Sequence, residues 1–319
     1  NSRERVLLAI NHKTPDRVPL DFGATGQTGI SASVLYKLRQ ALHLPQHPIE
    51  ISEMFQLLGK VEPDLMELLQ VDVIGLNGRS SMFGVPDSRL KPFTMPDGTP
   101  TLISDKNELD ILEDKTTLIY PQGDRTVRPS GHIPPDGYFF DNIDRTDGFD
   151  EDNLTPAEDF KEAFQLLSDE DALYFEKQSK RLFEETEYAI IGNLGGAGLG
   201  DAAWIPGPNE KHPKGIRRME DWLMAHLLYP EYIEAVFSLQ TEMMLKNLQI
   251  YKEAVGERIQ IVWISGTDFG TQKAPFFSKE VFRELYKPYY KKINDWVHKN
   301  TSWKTYYHSC GSVVSFLDD

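Results

Sequence analysis

The chain has 319 residues, 40% of them hydrophobic, enough to bury a substantial core and too many for a disordered chain or a string of small modules. A formal net charge of -15 and a pI near 5.0 exclude nucleic acid or an anionic membrane as the main partner, because phosphate binding needs clustered Lys and Arg. One cysteine excludes an intrachain disulfide framework, and no long apolar run marks a signal peptide or membrane span, so a reducing cytoplasm is the expected setting.

The opening SRERVLLAINH pairs a Ser cap with apolar residues at helical spacing, Val6, Leu7, Ala9 and Ile10. The prolines of KTPDRVPLDFG end that helix, and Val18 to Phe22 read as a first strand carrying Asp21 and Gly23 at its end. SASVLYKLRQALHL and EPDLMELLQ are helical, and VDVIGLN is a short strand ending in Asn77. From 82 to 153 the sequence is rich in Pro, Gly and Asp, with short alternating pieces, and reads as an insertion of β-ribbons and loops within one domain spanning 1–319. One long helix is expected from Pro156 to Thr186, with Pro in the first turn and acids crowding the start. The strand YAIIGN then ends in Asn193 and a glycine run, and a second long helix runs from Met219 to Gly256. The strand IQIVWIS, the helix SKEVFRELYKPYYKKINDWVHKN, the strand KTYYHSCG and the start of a further helix, SVVSFLDD, complete the chain.

Strands separated by long helices imply right-handed βαβ crossovers and a parallel sheet. A (β/α)8 TIM barrel of the α/β class is favoured over a doubly wound sheet. Its polar candidates Asp21, Asn77, Asn193, Asp268, His308 and Cys310 all fall at carboxyl ends of strands, the rim on which barrel enzymes build their sites. GNLGGAGLGD fails the GxGxxG register because Asp201 stands three residues after Gly198, so the run is read as a loop in which backbone approaches a neighbour. About five of the eight strand-helix units are visible, which leads us to expect the front part of a longer protein.

His308 and Cys310 stand at i and i+2, so on a strand their side chains point to the same face. Three readings are open: a buried structural Cys beside a rim His, a Cys/His nucleophile pair, or two ligands of a catalytic zinc, which takes three protein ligands and keeps one position open.

The segments SRERVLLAINHKTPDRVPLDFG, GTDFGTQKAPFFSKEVFRELYKPYYKKINDWVHKN and YYHSCGS together resemble the uroporphyrinogen decarboxylase superfamily. The resemblance implies a (β/α)8 barrel and two branches of activity: porphyrinogen decarboxylases, and zinc-dependent methyltransferases working with corrinoid (cobalamin) proteins. Where decarboxylases carry an arginine-rich RQAGR segment and a strand-end Asp, this chain has DFGATGQTG and Asn77. His308 and Cys310 match the methyltransferase His-x-Cys motif, whose relatives complete the site with a later Cys; none exists here, so the third ligand is expected beyond Asp319. The resemblance thus implies methyl transfer between a corrinoid carried by a partner protein and a small acceptor or donor, with zinc on His308 and Cys310. A decarboxylase-type lyase of tetrapyrrole metabolism and a non-catalytic binding barrel are the alternatives.

Asp268 and Asp21 are the candidate catalytic carboxylates, Asp268 also as an orienter of a zinc ligand or a loop cap. Asn77, Asn193, Gln272 and Tyr307 are candidate substrate contacts, with turn stabilisation or core packing as their plainer roles. His226 reads as a satisfied helix residue. The expected partners are a small-molecule substrate, a corrinoid protein and a second copy of the chain in a homodimer.

Overall fold

The computed structural model describes all residues, Asn1–Asp319, as a mixed α/β chain that resolves into two compact units. The first comprises Asn1–Ile143, Gln178–Ile191 and Pro208–Lys211; the second comprises Asp144–Lys177, Gly192–Gly207 and His212–Asp319.

In chain order the first unit begins with α1 (Ser2–Ile10), α2 (Ala32–Ala41), β1 (Ile49–Glu53), β2 (Leu58–Gly59), α3 (Pro63–Leu68) and β3 (Val73–Leu76). The cap of α1 is Asn1, not Ser2: Asn1 accepts from the Glu4 N–H and Glu4 returns a bond, a reciprocal capping box. The stretch Val18–Phe22 forms no strand. Pro19 has no N–H to give a ladder. Leu20 is fastened instead to Asp72, donating its N–H to Oδ2 (2.9 Å) and accepting the Asp72 N–H (2.8 Å). The Asp72 side chain is fully buried and neutralised by Arg5 and Arg17, each 2.6 Å away. Burial opposes its ionisation, but the Leu20 N–H, the Ser2 hydroxyl and the two guanidiniums outweigh that and hold it below the usual carboxylate range.

β4 (Leu90–Thr94), β5 (Pro100–Ser104), β6 (Leu109–Ile111), β7 (Thr117–Ile119), β8 (Gly131–Ile133) and β9 (Asp141–Asn142) follow as short antiparallel pairs. β5 also pairs in parallel with β1, a strand absent from the sequence-based expectation. Leu35, Ile49, Leu57, Leu65, Phe83 and Phe140 form the core of this unit, all at most 2% exposed.

Two long helices expected from the sequence are each broken. The first splits into α4 (Pro156–Asp159) and α5 (Asp169–Glu185), because Ser168 and Asp171 start a new helix with a reciprocal cap: Ser168 Oγ accepts the Asp171 N–H (3.1 Å) and Asp171 Oδ2 accepts the Ser168 N–H (3.2 Å). After β10 (Ala189–Asn193), the second splits into α6 (Met219–Leu228) and α7 (Pro230–Val255), with Pro230 at the first turn of α7.

β11 (Ile261–Ser265) is buried along nearly its whole length, as a strand covered on both faces must be. The helix after it is interrupted: α8 (Lys279–Val281) passes through a π turn, Phe282–Tyr286, into α9 (Lys287–Asn300). Pro288 has no N–H for a regular α turn, and the wider turn before it accommodates the ring. β12 (Lys304–Tyr307) runs parallel to β11, and Val314–Phe316 form only a 3-10 turn. Ile233, Phe237, Met244, Leu248, Tyr251 and Val255 make the buried stripe of α7, which packs against α9, where Phe237 meets Tyr289 edge-on (5.9 Å) and the Tyr289 hydroxyl donates to Glu234 O (3.1 Å). No helix is long and apolar enough to cross a membrane.

Candidate metal centre

The candidate site lies in the second unit, where the chain leaves β11 and β12. Their pairing slips by one residue between Trp263 and Ser265, so that Ser265 faces Tyr307. β12 ends at Tyr307, four residues short of the expected strand KTYYHSCG, so His308 and Cys310 lie in the loop after it; the His308 N–H still bonds to Ser265 O (2.9 Å).

Beyond that rung the two loops are joined repeatedly. The Cys310 N–H donates to Asp268 Oδ1 (2.6 Å), the Phe269 N–H to Ser309 Oγ (3.1 Å) and the Ser312 N–H to Thr271 O (2.8 Å). Gly311, at φ +90°, lets the backbones touch: a Cβ there would stand 1.9 Å from Gly270 O.

This brings three donor groups together: Asp268, His308 and Cys310 have ligand atoms within 4.8 Å of one another. His308 Nε2 is 3.3 Å from Cys310 Sγ and 3.9 Å from Asp268 Oδ1. Ligands about 2.0 to 2.3 Å from a tetrahedral zinc stand roughly 3.3 to 3.8 Å apart, so these separations suit a common ion after small side-chain adjustments. Asp268 is thus a candidate third donor within the chain, beside the expectation of one beyond Asp319.

Two of the readings left open by the sequence do not fit. Cys310 is exposed, so it is not a core residue. A nucleophile triad needs the base to reach the thiol through one ring nitrogen and its orienting carboxylate through the other. Here Nε2 faces both Cys310 and Asp268. The thiol is also pushed above its ordinary value, first by partial desolvation and then by the Asp268 and Asp201 carboxylates, the reverse of what activates a nucleophilic cysteine.

Asp201, which no sequence pattern selects beyond its place after the glycine run, belongs to this electrostatic group. It is 7% exposed, accepts the Ala203 N–H (2.7 Å), and is pushed up to about 7 by burial, with the charge of Asp268 adding to the effect. Neither Asp201 nor Asp268 pairs with a lysine or arginine. The basic group facing Asp268 is the His308 imidazole, with Nε2 3.9 Å from Oδ1, itself a metal-ligating side chain.

Tyr307 packs its ring against Tyr290 (4.8 Å, edge-on) and Phe269 (6.2 Å, stacked). Asn193 ends β10 and accepts the Gly195 N–H (3.0 Å), turning the chain into the glycine run. Gln272 stands exposed in the turn Thr271–Ala274. Asp21 and Asn77 belong to the first unit. Asp21 sits on a turn, not a strand, accepting from Ala24 N and Thr28 Oγ1, and burial raises it above the usual carboxylate range. Asn77 follows β3 and donates to Ala24 O (3.3 Å). His226 is satisfied, with Nδ1 at Trp222 O (2.9 Å) and Nε2 at the Tyr286 hydroxyl (2.6 Å).

No protein-family model and no curated protein matches the chain. Among solved structures, a methyltransferase from Methanosarcina mazei is similar at 13% identity and a TM-score of 0.45, over 99% of this chain and 72% of that one.

Proposed function

We propose that this protein is a zinc-dependent methyltransferase on a (β/α)8 framework, moving a methyl group between a corrinoid carried by a partner protein and a small acceptor or donor. The reading is carried by the convergence of Asp268, His308 and Cys310, three donors with mutual spacing suited to one divalent ion. It is supported by the His-x-Cys resemblance of residues 308 to 310. Carboxylate, imidazole and thiolate are all ligands zinc accepts, and three protein ligands leave the open position that catalysis requires.

When bound, zinc would supply Lewis acidity, making an acceptor thiol a better nucleophile or a methyl donor a better electrophile. The chain's own residues have separate tasks. Cys310 holds Asp268 in place through its N–H, and the Asp268 carboxylate in turn faces the His308 imidazole. Once ionised, above about pH 7, the Asp201 carboxyl adds negative potential at Asp268 and Cys310, which favours a cation and opposes an anionic ligand. A substrate with many carboxylates suits such a site poorly, which disfavours the porphyrinogen decarboxylase alternative.

The test is metal content of the protein purified without added metal, beside Asp268→Ala, His308→Ala and Cys310→Ala variants. The expectation is about one zinc per chain in the parent and far less in each variant. A parent that neither carries nor takes up zinc would refute the reading.

A further inference from the structure

Three buried hydroxyls meet directly behind the donor cluster. Tyr290, from α9, places its OH 2.9 Å from Ser265 Oγ and 2.6 Å from Thr267 Oγ1, and those two are 3.0 Å apart. Ser265, Thr267 and Tyr290 are 0%, 1% and 6% exposed. One assignment satisfies every proton: Tyr290 O–H to Ala197 O (3.4 Å), Thr267 O–H to Tyr290, Ser265 O–H to Thr267, and the Thr267 N–H to Ser265 Oγ (3.2 Å). A side chain of Tyr290's size needs no polar tip to fill a core, and leaving that tip unpaired would be costly. Its hydroxyl is spent on fixing the end of β11.

The neighbours of Tyr290 say what is being fixed. Thr267 immediately precedes Asp268 and Phe269 immediately follows it; Tyr307 immediately precedes His308. Tyr290 hydrogen-bonds the first, and its ring meets the second edge-on at 6.4 Å and the third edge-on at 4.8 Å. It therefore grips the residues flanking two of the three donors, from a helix that carries none of them.

We infer that Tyr290 is the positioning residue of the donor cluster, holding the Thr267–Phe269 loop and the end of β12 so that Asp268 and His308 converge on one ion. The inference rests on the metal reading above. Groups that orient ligands from behind typically change metal affinity by about 10–100-fold when removed, and that is the effect expected of losing this one hydroxyl.

The experiment compares the parent protein with Tyr290→Phe, Thr267→Val and Tyr251→Phe. Tyr251 is a fully buried tyrosine of α7 in the same unit, so its variant controls for the loss of a buried tyrosine hydroxyl as such. Zinc and cobalt(II) affinities are measured by competition with a chromophoric chelator, and the visible cobalt spectrum reports ligand geometry and the thiolate-to-cobalt band. Tyr290→Phe and Thr267→Val should bind about 10–100-fold more weakly with an altered cobalt spectrum, while Tyr251→Phe retains the parent's affinity and spectrum. Parent-like binding by both of the first two variants overturns the inference and leaves the metal reading standing. Equal weakening in all three also overturns it, since the loss of a buried hydroxyl as such would then explain the effect. A parent that binds neither ion removes the metal reading and this inference together. Should Tyr290→Phe fail to fold, Thr267→Val, which keeps the side chain's shape, decides alone.

Discussion

Replacing Asp201 with asparagine asks what a buried carboxyl without a basic partner does to the folded state. In the unfolded chain an aspartate ionises near 3.9, whereas here burial, aided by Asp268, raises it to about 7. Between about pH 4 and pH 7 the native chain therefore retains a proton that the unfolded chain has released. The stability associated with this group is fully present below pH 4, declines as pH rises through that window, and levels off above pH 7. At about 1.36 kcal/mol per pH unit the decline is roughly 4 kcal/mol. Water entry and local relaxation reduce that figure, so ~2–4 kcal/mol is the working range. Asparagine keeps an oxygen for the Ala203 N–H and carries no charge. Asp201→Asn should match the parent near pH 4 and exceed it by ~2–4 kcal/mol at pH 8. Urea unfolding at intervals across this range, with EDTA present to keep cations off the carboxylates, gives the difference from the midpoint at unchanged slope. A difference that stays flat from pH 4 to pH 8, or a variant weaker than the parent at pH 8, refutes the assignment.

Asp72→Ala leaves Arg5 and Arg17 facing an emptied buried site and should cost ~3–5 kcal/mol in urea unfolding. Because the Asp72 carboxyl is held below its ordinary value, the parent should lose that contribution as pH falls below about 4, and the variant should lack this acid loss. Gly311→Ala drives a Cβ into Gly270 O at a positive φ, and should lower stability by at least ~1–3 kcal/mol and reduce zinc uptake, read by thermal unfolding and metal analysis. Ser168→Ala removes the cap that starts α5 and should cost ~0.5–2 kcal/mol, with the loss of α5 helicity visible in the circular dichroism.

Four of the five strands expected at the start of βα units form; β3, β10 and β11 are short apolar runs that periodicity identifies, while β12 is KTYY, with no residue fully buried. The fifth, Val18–Phe22, has the composition but not the partner: Pro19 cannot donate, and a side chain from Asp72 takes the place of a neighbouring strand. The helix breaks at Ser168 and Pro230 were written in the sequence as an S-x-x-D box and a first-turn proline, and were overridden by apolar spacing that continues across them. β1 alternates as a strand should, yet its parallel partner lies about fifty residues on, and pairing at that distance leaves no local mark. At the site, the i, i+2 spacing put His308 and Cys310 on one strand face, whereas they meet in the loop beyond β12, with Nε2 3.3 Å from Sγ. Asp268 joins them only through the slipped register of β11 and β12, and the state of Asp201 depends on burial, neither of which a linear pattern records.

The backbone contact between Gly270 and Gly311 also bears on motion. With Gly311 resting on Gly270 and bonds running from Cys310 to Asp268 and from Phe269 to Ser309, neither loop can swing out while the other stays. Opening would have to part the ends of β11 and β12 together. The amides of Phe269 and Cys310 should accordingly exchange with deuterium as one cooperative unit, and a ligand must arrive from the exposed side of Cys310 and not by displacing a flap.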